Sequence, residues 1–107
     1  MIHVVYHREY NRLTMEGHAQ SGEPGHDLVC AAASMLAYTL AANVKALEKT
    51  GQATDMIADL REGKAEVSCK AHYRMKAIVT MIFDAVCMGF SLLARDEAEY
   101  ITYEVRG

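Results

Sequence analysis

The chain has 107 residues, 51% hydrophobic and 23% charged, with a formal net charge of −3. That length supports one domain, residues 1–107, with a core of its own, and the composition excludes a disordered chain. The mild negative charge excludes electrostatic gripping of DNA or RNA, which needs a basic field, so no nucleic-acid partner is expected.

The opening stretch MIHVVYHREYN lacks the charged start and long apolar run of a signal peptide, and it reads as a strand over residues 2–7. A second strand is predicted over 11–17, with Glu9-Tyr10-Asn11 as the turn between the two. There Leu13, Met15 and Gly17 alternate with Arg12, Thr14 and Glu16, the period of a half-buried strand. QSGEPGH then breaks all regularity and marks a loop. From Leu28 the period changes. Leu28, Ala32, Met35, Leu36, Thr39, Leu40, Val44 and Leu47 form the stripe of an amphipathic helix, with Asp27 at its N-cap and Gly51 as its C-terminal stop. Residues 53–60 and 65–71 read as a hairpin around REGK, in which Gly63 supplies the positive φ of a tight turn. Met75–Ala94 is a second helix, and strand character returns over Tyr100–Val105.

The order ββαββαβ predicts an α+β two-layer domain: a mainly antiparallel sheet with two helices packed on one face. In the second helix Ile78, Val79, Ile82, Val86 and Phe90 make one apolar face, and Met81, Ala85, Met88 and Leu92 make another. A helix apolar nearly all round is buried on two sides, and in so small a domain the second burial points to another copy, a homodimer. The apolar stretches Leu28–Val44 and Met75–Ala94 contain Ser34, Thr39 and Asn43 in the first and Asp84 in the second, which argues against membrane spans. The expected location is the cytoplasm, with no membrane partner.

Three cysteines, Cys30, Cys69 and Cys87, without a C-x-x-C pair, fit neither a secreted disulfide framework nor a cysteine-rich zinc module. Cys30 stands apart because of its position, just inside a helix that a Gly/Pro-rich loop leads into. The unpaired N–H groups and positive dipole end of a helix start favour an anion there. The same amides can receive the oxyanion that forms when a carbonyl is attacked. His18, at the end of the second strand, is the natural base, and only eight residues separate it from Asp27. Gly17 lets another group approach closely, Ser34 lies one turn beyond Cys30 on the same helix face, and Asp27 caps the helix or holds an imidazole. His26 adjoins Asp27 and competes with His18 as base. A metal site built from His18, His26 and Cys30 fits no closed zinc pattern and has no apparent fourth ligand. Cys69 and Cys87 read as packing residues, and His3, His7 and His72 as surface or sheet-face residues. On these residues alone a cysteine hydrolase, a thiol hydrolase of other peptides or acyl esters, and a non-catalytic dimeric binding module all stay open, since a free cysteine is often only a small hydrophobe.

The segments GHA at Gly17–Ala19 and GHDLVCAAAS at Gly25–Ser34, ahead of a long helix, resemble the ribosomal-processing cysteine proteases (Prp). The flanking element order agrees, so the resemblance covers nearly the whole chain. It implies a homodimeric cysteine endopeptidase, without a cofactor or metal, that removes a short N-terminal extension from large-subunit ribosomal protein twenty-seven. By the same resemblance Cys30 is the nucleophile and His18 the general base, while Gly17, Asp27 and Ser34 match supporting positions. The Ala19–His26 loop would then be a cover that shifts to admit an extended peptide bearing apolar and aromatic residues.

Overall fold

In the computed structural model, which describes residues 1–18 and 27–107, strands β1 (Ile2–His7) and β2 (Arg12–Gly17) pair antiparallel with Ile2 opposite Gly17. The turn between them is a short 3-10 segment, Arg8–Tyr10, closed by Asn11 at a φ of 48°. Asparagine tolerates that left-handed geometry better than most residues. Its buried amide donates to Thr80 Oγ1 at 3.1 Å, and its carbonyl oxygen accepts from Lys76 Nζ at 2.7 Å, so no polar atom of the side chain is left unpaired.

The chain continues through α1 (Asp27–Lys49), β3 (Ala53–Arg61), β4 (Lys64–Ala71), α2 (Lys76–Asp96) and β5 (Ile101–Arg106). The hairpin forms as expected, with Arg61 opposite Lys64 and Gly63 at a φ of 77°. Five strands make one sheet in the order β3-β4-β2-β1-β5, antiparallel except for β1 beside β5. α1 joins β2 to β3 across β4, and α2 joins β4 to β5 across β2 and β1, so each helix must lie over a face of the sheet. Both take the same face. Ile2, Val4 and Tyr6 of β1 point into the core beneath them, while His3 and His7 stand on the open side. The domain is therefore the two-layer α+β arrangement read from the element order.

The helices turn different faces to the core than their hydrophobicity suggests. In α1 the buried residues are Val29, Ala33, Ala37, Leu40, Ala41, Val44 and Leu47. The expected stripe is right at Leu40, Val44 and Leu47 but wrong in the N-terminal half, where Leu28 is 72% and Met35 64% exposed. Three alanines let the helix axis come close to the sheet, and the larger side chains are left outside. In α2 Phe83 and Cys87 sit at the centre of the buried face between Val79 and Phe90. Ile82 and Val86 are half-buried, and Ile78 is exposed. The second apolar face, Met81, Ala85, Met88 and Leu92, is exposed in the single chain. Both helices pass the length and hydropathy test for a membrane span, but each lays one face on the sheet. Asp84 of α2 is ion-paired with Arg8 at 3.0 Å.

Candidate active site

His18 follows directly on β2, and two backbone contacts set its position. The N–H of Gly17 donates to the carbonyl of Gly63 at 2.9 Å, tying the end of β2 to the hairpin turn. The amino group of Met1 donates to the carbonyl of His18. Gly17 has a φ of 104°, and a Cβ there would run into the backbone carbonyl of Met1. The close approach anticipated at this glycine is therefore made by the neighbouring strand's main chain, and only glycine accommodates it. The His18 side chain is exposed.

Cys30 is the fourth residue of α1, still within its first turn, and is half-buried against the core. The helix runs from Asp27. Ser34, one turn further, lines a small cleft with Met15, Ala37, Tyr38, Leu60, Arg61 and Ala65. The cleft fixes the direction of the helix over the sheet. At the far end Glu48 Oε2 accepts from the N–H of Met56, so going back along α1 from Glu48 to Ser34 runs along β3 from Met56 to Leu60. One more turn back reaches Cys30, while β2 runs on from Met15, paired with Ala65, to Gly17 and His18 beside the hairpin turn. Topology thus brings Cys30, His18 and the Glu62-Gly63 turn to one end of the domain. The proposed cover over 19–26, His26 within it and the Asp27 side chain lie outside the described residues.

The other two thiols occupy different surroundings. Burial pushes the Cys87 thiol up to about 12, against the opposing effect of its hydrogen bond with Tyr103. Burial also raises Cys69, with a nearby Lys76 pulling the other way. Both are packing residues, as read from their positions, and a thiol held in its protonated form is a poor nucleophile. His3 Nδ1 lies 3.0 Å from Thr102 Oγ1 on the open sheet face, and His72 Nδ1 accepts from the N–H of Arg74 at 3.3 Å. Among the described residues no three His, Cys, Asp or Glu side chains are grouped so as to hold a metal ion. Sequence reading missed the part played by the hairpin turn and by Leu60 and Arg61. They lie far from His18 and Cys30 along the chain, and only strand pairing joins them.

No curated protein sequence matches the chain. The family model described as cysteine protease Prp matches residues 1–102. Among solved structures, SMU.848 from Streptococcus mutans is 28% identical with a TM-score of 0.67, the match covering 98% of this chain and 91% of that one. The S. aureus ribosomal processing protease Prp in complex with a substrate peptide is 20% identical with a TM-score of 0.71, over 99% of this chain and 100% of that one. The same S. aureus protein with a covalently linked product peptide is 21% identical with a TM-score of 0.68, over 98% and 97%. The two S. aureus likenesses carry the fold, and the family match carries the kinship. With that match running from β1 through both helices to the first residues of β5, and including the positions of Cys30 and His18, the chain belongs to the cysteine protease Prp family.

Proposed function

We propose that this protein is a cytoplasmic, homodimeric cysteine endopeptidase that removes the N-terminal extension of large-subunit ribosomal protein twenty-seven, with Cys30 as nucleophile and His18 as general base. The observation that supports it most is the convergence of a cysteine in the first turn of α1 and a histidine at the exit of β2 on one end of a fold belonging to a cysteine protease family. The S. aureus protein of this fold is known with a substrate peptide and with a covalently linked product peptide, and the same peptide chemistry is assigned here by kinship.

In the proposed reaction His18 accepts the thiol proton of Cys30 and the sulfur attacks the scissile carbonyl. The amides that lead α1 receive the oxyanion, which the positive end of the helix dipole favours. Protonated His18 then donates its proton to the departing amine, leaving a thioester on Cys30. Water, giving its proton to His18, hydrolyses the thioester and restores the thiol. Gly17 keeps β2 close to β1 so that His18 leaves the sheet at the helix start. Ser34 lines the cleft beside the nucleophile, and Asp27 opens the helix. The exposed apolar faces of α1 and α2 supply the dimer contact.

The test is cleavage of a synthetic peptide spanning the extension by wild type, Cys30→Ala and His18→Ala. The expected result is cleavage by the wild type, none by Cys30→Ala, and a loss of at least roughly 10²-fold in His18→Ala. Cleavage retained by either variant removes that residue from the mechanism. A wild type that leaves this peptide intact but turns over other peptides or acyl esters is a thiol hydrolase of different specificity. One inert to all of them is a binding module.

A further inference from the structure

We infer that Gly63, in the turn between β3 and β4, is a positioning residue for the base: the space where its side chain would stand is the seat of the His18 ring. The inference builds on the role proposed for His18. A Cβ placed on Gly63 would lie 2.6 Å from His18 Nε2, 3.0 Å from Cε1 and 3.6 Å from Cδ2. The ring therefore rests on the turn through its Nε2 edge, in a space that any other residue would fill. The same turn holds the main chain just before the ring, through the Gly17 N–H and the Gly63 carbonyl at 2.9 Å. Backbone and side chain of the strand end are both referenced to one hairpin. The colliding atoms are the far edge of a side chain, so a Cβ at position 63 displaces the imidazole and leaves the sheet standing. A base displaced by about 1 Å loses on the order of 10²-fold in rate.

Gly63 has a φ of 77°, so any substitution also strains the backbone, and Gly51 isolates that effect. Gly51 has a φ of 78°, stands beyond the far end of α1, and has open space where its Cβ would be. The experiment compares wild type, Gly51→Ala, Gly63→Ala and Gly63→Asn, the last because asparagine tolerates positive φ while still carrying a Cβ. Two readouts are taken: the NMR signals and titration of the His18 ring, and the kinetics of extension-peptide cleavage. Gly51→Ala is expected to melt earlier but to keep the His18 signals and kcat of the wild type. Both Gly63 variants are expected to shift the His18 ring signals and lower kcat by about 10- to 100-fold, with KM changed by less than about threefold. Folded Gly63 variants with unmoved His18 signals and unchanged kcat overturn the inference. If neither variant folds, the wild type decides: nuclear Overhauser contacts between the Gly63 α-protons and the His18 ring support the seat, and their absence removes it. A wild type that cleaves nothing sinks the peptidase assignment while the ring contact is still decided by these spectra.

Discussion

Cys30 is half-buried at a helix start, whereas Cys69 and Cys87 lie in the core with their thiols held protonated by burial. A maleimide at neutral pH is therefore expected to label Cys30 at least roughly tenfold faster than the other two in the native protein, with the difference lost in denaturant. Equal rates, read by peptide mass mapping, would remove the basis for treating the three differently. Asp84 illustrates a polar residue whose purpose local sequence does not reveal. It appears as an interruption in an apolar helix, and the fold gives it the Arg8 guanidinium and the Tyr6 hydroxyl at 2.8 Å. Hydrogen bonding from Arg8, aided by Tyr6 and opposed by partial burial, holds its carboxyl below the usual range. A carboxyl depressed in the folded state adds stability above its unfolded pKa of about 3.9, and that contribution disappears as pH falls through the folded value. Urea midpoints from pH 7 to pH 2 are expected to fall more steeply in the wild type than in Asp84→Asn below about pH 4. Parallel curves would show the pair to be inert.

The elements themselves were legible wherever the pattern was local. Strand character found β1, alternation found β2, the REGK turn found the hairpin, and two apolar helical periods found α1 and α2 to within about two residues. The faces were less legible. Alanine contributes little to a hydrophobic stripe, yet Ala33, Ala37 and Ala41 mark where α1 meets the core. Close packing rewards fit as well as apolar area. The crossing of the two helices follows the same rule: a Cβ on Gly89 would come within 2.5 Å of Leu36 Cδ2. Helix propensity alone predicts that replacing this glycine stabilises the helix by up to ~1 kcal/mol. Overpacking reverses the sign. Gly89→Ile is expected to cost about 1–3 kcal/mol. Adding Leu36→Ala is expected to recover part of that in a double-mutant cycle read by urea unfolding. A stabilised Gly89→Ile would show that the helices do not meet there.

Leu28 and Met35 of α1, together with Ile78, Met81, Met88 and Leu92 of α2, leave apolar side chains on the outer surface of the helical layer. Two apolar faces on one helix were read from sequence as burial on two sides; in the folded chain the core takes Val79, Phe83, Cys87 and Phe90, and Met81, Ala85, Met88 and Leu92 are left exposed as the outer face. The proposed homodimer covers that outer face. Met81→Asp with Met88→Asp is expected to convert a dimer to a monomer in sedimentation velocity without changing the circular dichroism spectrum, because both side chains lie outside the core. A wild type that sediments as a monomer at tens of micromolar refutes the dimer directly.

Residue order alone determined the succession of strands and helices, the turn at Gly63, the packing roles of Cys69 and Cys87, and the singular position of Cys30 at a helix start. Each depends on neighbours within a turn or a strand length, where periodicity and backbone preference act. Only the tertiary structure decided that β1 lies between β2 and β5, that α1 buries its alanines, that Asp84 meets Arg8, and that the β3–β4 turn stands beside His18. Those outcomes depend on which distant surfaces fit together, and strand pairing and close packing choose among alternatives that local patterns leave equal.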